Sequence, residues 1–429
     1  MKESFLLAFR AMVRGKSLLM LLGAVALVHF LVPGIVRSDG SAAGTVEMTV
    51  RMVHGFVAAI LLVSILAAAC GMFARERETK CLALTMVRPV NAFAVAAGKW
   101  LALAAVSALT LAFSFAAAMA FPPAGNPPSC RHHCRPSLPA PEISAAKMLE
   151  EYLASPDTPE EIRKASRSAV LTLLTAKEND RYESVRKGET LSLPFESERL
   201  RAAVAAKEPV VLRLRFSTQF EMRTPVAGTI RFAGLSAAVS NVTQAVIEIP
   251  LEYPASASAG EVAAPQDCMS TFENTGSSTV MLRPRCDIEM LVPADSFAAN
   301  AIRASAETWA LSLLLAAFGL FLSSALSRPV AVFTAFVALA AAMIAPSAIS
   351  QYPDEFHASA ADRIGLAVSR AVQSVAGSVT EPAPVGDLAT GRAIEWDDLA
   401  GILAKDAFAM PAVLLLMAAF LARRKPIAE

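Results

Sequence analysis

The densest set of side chains able to bind metal or form disulfides is Cys130-Arg131-His132-His133-Cys134. Cysteine and histidine both bind zinc or copper. The spacing is not that of a standard structural zinc site, and the run follows a proline-rich stretch. Two more cysteines, Cys268 and Cys286, flank a strand–turn–strand pattern. Four cysteines in one region allow three pairings if the region faces an oxidising compartment. A local Cys130–Cys134 bridge, bridges to Cys268 or Cys286, a Cys268–Cys286 pair, a metal site on Cys130, His132, His133 and Cys134, and an incidental cluster all remain open. No GxxxxGK[ST] loop, HExxH or GxSxG is present. No catalytic constellation and no cofactor are therefore expected in this chain, and an enzymatic role is the weakest reading.

The elements that hold these residues divide by composition. The chain of 429 residues is 55% hydrophobic, above the 45–50% or so of soluble domains, and the surplus lies in blocks toward both ends. A span needs roughly 20 mainly apolar residues, and six stretches qualify: Ser17–Val36, His54–Phe73, Trp100–Phe121, Thr308–Ser327, Pro329–Ile349 and the shorter Ala407–Ala422. Backbone polar groups must be satisfied internally in a bilayer, so these read as helices. The first five spans hold no acidic residue, which argues against a carboxylate proton relay. The formal net charge of +1 supplies no global field for nucleic acid.

Lysine and arginine set the expected orientation. Lys2, Arg10, Arg14 and Lys16 precede the first span. Arg75, Arg77, Lys80, Arg88 and Lys99 lie between the second and third, Arg328 between the fourth and fifth, and Arg423, Arg424 and Lys425 after the sixth. With six spans these groups share one side, so both termini are expected to be cytoplasmic. Residues 1–121 form a first membrane half and 306–429 a second, with an outer loop at 350–406. Residues 122–305 form an extracytoplasmic α+β insert.

Within the insert, 122–141 reads as a linker and 142–206 as a helical part. Thr158-Pro159-Glu160-Glu161 there carries a helix start. From 209 to 293 the apolar period becomes two, in Val211–Phe216, Thr229–Phe232, Ala245–Ile249, Thr279–Leu282 and Asp287–Leu291. Short alternating strands of this kind predict an antiparallel β-sandwich.

The stretch Arg75–Asn91 between the second and third spans is too long and too patterned for a minimal turn. Leu82, Leu84 and Val87 give it an apolar side, and Arg88-Pro89 ends it, because the residue before proline disfavours helix. It resembles the matching segment of the permeases of ABC-2 type exporters. There an acidic run, a short helix, a Leu-x-x-Pro turn and a Gly-Lys join the second and third spans. Glu76, Glu78, Leu82, Leu84, Arg88, Pro89, Gly98 and Lys99 stand in those places, while Lys80-Cys81 replaces the usual Gly-Thr. Ser296-Phe-Ala-Ala-Asn300, Arg303, Gly319, Ser323 and Ser327-Arg-Pro-Val-Ala331 look like the fourth and fifth spans of a subgroup with a large extracytoplasmic insert. That subgroup is similar to permeases associated with multicopper enzyme maturation.

The resemblance implies a homodimer or permease pair in a bacterial cytoplasmic (inner) membrane. It implies a cytoplasmic ABC ATPase as a separate chain, and coupling through Glu76, Arg77, Glu78, Leu82, Leu84, Arg88, Pro89 and Lys99. The insert would bind or gate a substrate or partner. The competing expectations are a mechanotransmitting ABC membrane subunit and a non-transporting scaffold whose outer domain binds an envelope protein.

Overall fold

The computed structural model describes residues 1–36, 42–79, 81, 91–120, 129–154, 167–179, 181, 183–215, 217–218, 226–233, 235–242, 246–253, 269–285, 287–351, 365, 367 and 384–424. Two compact units emerge. One contains 1–130, 295–349 and 366–429; the other contains 131–294 and 350–365.

Long runs of apolar and small residues make the first unit helical. Its helices are α1 (Lys2–Arg14), α2 (Ser17–Ile35), α3 (Ala42–Glu78) and α4 (Ala92–Ala120). Among the described residues, five helices are long and apolar enough to cross a membrane: Ser17–Ile35, Thr45–Glu78, Ala92–Ala120, Phe297–Ala325 and Trp396–Arg423. The architecture is compatible with a multi-pass membrane protein. The fifth expected span falls in a helix, Arg328–Gln351, whose apolar stretch Arg328–Ala342 is shorter than those five.

The Phe297–Ala325 helix lies at the centre of this unit: 72% of its apolar window is buried, against 17% for that of α2. Apart from Ser17 at its start, the exposed side chains of α2, such as Leu27 and Phe30, are apolar. An all-round apolar surface of this kind suits lipid rather than water.

Helix pairs approach closely where side chains are small, as membrane helix packing favours. A Cβ at Gly319 would meet the Ala69 Cβ at 2.6 Å and the Leu66 carbonyl at 3.1 Å. A Cβ at Gly98 would meet the Met1 carbonyl at 2.7 Å and the Ser4 Cβ at 2.8 Å. Ser4 Oγ donates to the Val95 carbonyl at 2.9 Å across that same contact between α1 and α4. Trp100 Nε1 donates to Leu313 O at 2.9 Å, and Trp309 Nε1 donates back to Ala104 O at 3.1 Å. The two indoles thus fasten α4 to the central helix reciprocally.

The second unit contains helices α5 (Pro141–Ala154), α6 (Arg167–Asn179) and α7 (Glu198–Ala205). Its strands are β1 (Arg131–Cys134), β2 (Glu183–Val185), β3 (Thr190–Pro194), β4 (Val211–Arg215), β5 (Ser217–Thr218) and β6 (Val226–Phe232). They continue with β7 (Leu235–Val242), β8 (Val246–Pro250), β9 (Met269–Asn274), β10 (Val280–Leu282) and β11 (Ile288–Pro293). Among the described residues these strands form three antiparallel sheets, ordered β1-β11-β4-β8, β2-β10-β5 and β3-β9-β6-β7.

Alternation along β6 sends Val226, Ile230 and Phe232 inward. They meet Phe195, Leu200, Leu212 and Phe272 in one apolar core, where Phe195 and Phe232 pack edge to face with centroids 5.9 Å apart. Helices α5 and α6 pair over a smaller cluster of Ala145, Leu149, Val170 and Leu174.

Two expectations are corrected here. The supposed linker contains β1, because Arg131–Cys134 pairs in register with Met290–Pro293. The supposed helical part contains β2 and β3 between its helices, each paired with a later strand. The helix start at Thr158-Pro159 lies outside the described residues.

The remaining helices of the first unit follow β11. They are α8 (Phe297–Ala325), capped by Ser296 Oγ, which accepts from Ala299 N at 3.3 Å, α9 (Arg328–Gln351), α10 (Pro384–Thr390) and α11 (Trp396–Ile402). A π-helical stretch, Leu403–Ala409, continues α11 into α12 (Met410–Arg424).

The α3–α8 crossing has a direct test. Gly319→Val is expected to lower stability by about 1–3 kcal/mol through overpacking. Gly23→Ala on α2, where an added Cβ meets nothing within 4 Å, is expected to leave it equal or raised. Unfolding midpoints of the purified chain in detergent check the pair.

Candidate functional site

The residues singled out around Arg75–Asn91 divide sharply at the end of α3. Glu76 and Arg77 turn inward, whereas Glu78 is exposed. Leu82, Leu84, Arg88 and Pro89 lie outside the described residues.

Glu76 Oε1 is 2.5 Å from Lys99 Nζ on α4. The lysine side chain is 5% exposed and the glutamate side chain 37%. Lys99 Nζ also sits 4.6 Å from the Phe73 ring centroid, a cation–π contact. The lysine charge is thus held between one carboxylate and one aromatic face, both from α3. A buried ammonium without such partners is strongly unfavourable.

Arg77 reaches α8 instead. Its guanidinium donates to Ser324 O at 2.9 Å, to Ser323 O at 3.0 Å and to Leu326 O. The last carbonyls of a helix lack intrahelical donors and carry the negative end of its dipole. A fork of N–H donors on a charge that stays protonated suits that terminus. Neighbouring residues of one chain segment therefore grip two different helices, Glu76 holding α4 and Arg77 holding α8.

A second polar clamp engages α8 near its start. Asn300 Nδ2 donates to Arg392 O at 2.8 Å, and Ile394 N donates to Asn300 Oδ1 at 2.9 Å. Arg303 donates to Ile394 O at 2.9 Å and to Asp295, and its guanidinium lies 4.8 Å from the Trp396 ring centroid. Asn300 and Arg303 are one helical turn apart and share a face. Together they fix the segment that leads into α11.

The cysteine–histidine cluster does not converge. Arg131–Cys134 is extended, so His132 and His133 point to opposite faces of the sheet. His133 Nδ1 is 3.0 Å from Glu289 Oε2, and Arg135 Nε donates to Glu289 Oε1 at 3.1 Å. His132 faces Arg199 at 3.2 Å. No group of three or more potential ligands gathers among the described residues, which runs against the metal alternative for Cys130, His132, His133 and Cys134. Cys130 is a free thiol, and Cys134 Sγ lies 3.4 Å from Ser197 Oγ. The extended backbone denies them a local bridge, which needs Cα atoms within about 7 Å. Burial pushes the Cys130 thiol up, opposed by the Arg303 charge, and a thiol held in that form is a poor metal ligand. Cys268 and Cys286 lie outside the described residues.

Two further buried polar features lie in the first unit: His29, whose sequence position suggests a helix–helix hydrogen bond, and Asp406, which the sequence reading missed. His29 Nε2 meets Ser114 Oγ at 3.0 Å, joining α2 to α4. Asp406 is 1% exposed within the π-helical stretch, and its Oδ1 has no hydrogen-bond partner among the described residues. Asp406 carries no local sequence signature, since its burial depends on which helices face it.

The Glu289 cluster makes a pH test. Burial pushes its carboxyl up, but hydrogen bonds and charge from His133 and Arg135 outweigh that and bring it down to about 2. The folded state then binds fewer protons than the unfolded one between about pH 4.5 and pH 2. Stability from this cluster is complete above that window and is lost as pH falls through it, by about 3 kcal/mol in all. Glu289→Gln is expected to flatten this part of the acid-unfolding curve; identical acid slopes in the two proteins would count against the assignment.

Comparison with protein-family models, curated proteins and solved structures finds no match for this chain.

Proposed function

We propose that this chain is the permease subunit of an ATP-driven, ABC-2-like exporter in a bacterial cytoplasmic membrane. It acts as a homodimer or paired permease and draws on ATP hydrolysis in a separate cytoplasmic chain. The reading takes six spans and cytoplasmic termini. It places residues 122–305 outside as an α+β domain with a β-sandwich that binds or gates a substrate or partner.

The observation that carries it is the junction after α3. Glu76 is tied to α4 and Arg77 to α8, so displacement of the segment that follows would be delivered to both helices at once. Glu78, next in line, is exposed and has no side-chain partner among the described residues. It is placed to meet a basic surface on an ATPase, and a charge at such a contact contributes to recognition and association.

A mechanotransmitting role has its own support. Ala294–Ser296 alone separate β11 from α8, so the helix gripped by Arg77 continues almost directly into a strand buried along most of its length. Motion entering at the C-terminal end of α8 would then reshape the outer domain without cargo crossing the membrane.

Co-purification with a cytoplasmic ABC ATPase tests the assignment. Glu78→Ala combined with Arg88→Ala is expected to weaken the complex and its stimulated ATP hydrolysis roughly tenfold with little change in the unfolding midpoint. Survival of both complex and stimulation would remove the coupling role and leave the scaffold reading.

A further inference from the structure

A groove of about 1300 Å³ in the first unit is open along one side and bounded by α1, α2 and α3. Its floor is one stripe of α3. Ile60, Ser64, Ala68 and Gly71 recur at helical spacing and end at Arg75. From Ile60 to Arg75 the stripe runs about 22 Å at 1.5 Å per residue, more than half the roughly 30 Å apolar core of a bilayer. Small residues keep this floor low. Met12 and Met20 line the facing walls, and methionine adapts its shape to irregular apolar partners.

The charged side chains of α3 on this lining sit at one end of the stripe. Arg328 lies across Gly71, where an added Cβ would be 3.6 Å from its Nε, and Arg75 follows one turn later on α3. Both arginines are exposed, and neither has a side-chain hydrogen bond or ion pair among the described residues. Lys99 and Glu76 also reach the groove but neutralise each other, and Glu3 is the remaining acid on its lining. The available charge at that end is positive.

We propose that the groove holds one anionic glycerophospholipid from the surrounding bilayer, with an acyl chain along α3 and the phosphate between Arg75 and Arg328. A basic recess between spans is the expected form of a headgroup site, and the planar guanidinium fork matches phosphate geometry. The assignment rests on the membrane reading alone and needs no ATPase, so it stands or falls separately from the exporter proposal.

Native mass spectrometry of the full chain, released from micelles containing equal phosphatidylglycerol and phosphatidylcholine, tests it. The wild type is expected to retain one phosphatidylglycerol in clear preference. Arg75→Ala and Arg328→Ala are each expected to cut that preference about fivefold, while the double lysine variant keeps most of it. Ala68→Trp, which fills the floor, is expected to abolish retention of both lipids. Equal retention of the two lipids by the wild type would overturn the proposal, as would an unchanged preference in the double alanine variant. Displacement of the lipid by millimolar glycerol phosphate would assign the arginines to a free phosphate and overturn it too. Loss of a dimer in Ala68→Trp with lipid retention intact would give the groove to a second copy and equally overturn the lipid assignment.

Discussion

A buried ammonium constrains this fold more than any other single group. Lys99 sits on α4 among apolar neighbours with almost no access to solvent. Stripping a charge of water costs several kcal/mol unless a partner replaces it. The Glu76 carboxylate is that partner, and it can reach Lys99 only if α3 continues helically to its end and lies against α4. The Phe73 face, one turn earlier on α3, completes the enclosure. Once the end of α3 is fixed in this way, Arg77 is aimed at the open carbonyls of α8. The positions of three helices thus follow from satisfying one charge and one helix terminus.

The α8 helix inherits this order along its length. Gly319 lets it lie against α3 with almost no side-chain separation, and Trp100 and Trp309 bind it to α4. Toward its start, Asn300 and Arg303 grip the strap that leads to α11. A helix held by charge at both ends and by close packing between them moves as a rigid rod. That property suits the proposed role, in which displacement would be carried along α8.

Much of the architecture was legible in the sequence because its signals are local. Apolar runs the length of a bilayer located the helices, and period-two alternation located β4, β6, β8, β10 and β11. Helix ends were less legible. Val46 and Val50 extend α3 well before His54 because they pack on Leu388 and Ile394, far along the chain. The short β1 was hidden for the same reason, since Arg-His-His-Cys has no alternating apolar pattern and is a strand only because β11 pairs with it. Glu76, Arg77 and Lys99 were each picked out by position, but their partners were not. The Arg77 acceptors are backbone carbonyls nearly 250 residues away, and backbone groups carry no mark in a sequence.

Whether the Lys99 charge organises the junction can be tested through the asymmetry between its two partners. Unfolding midpoints would be compared for Glu76→Ala, Lys99→Met and the double variant. Removing the carboxylate strands the ammonium, so Glu76→Ala is expected to be the most damaging, by about 1–3 kcal/mol given the partial exposure of Glu76. Lys99→Met removes the charge and keeps the apolar stem, so it is expected to cost less and to restore most of the loss when added to Glu76→Ala. A double variant no more stable than Glu76→Ala alone would contradict the organising role of the charge.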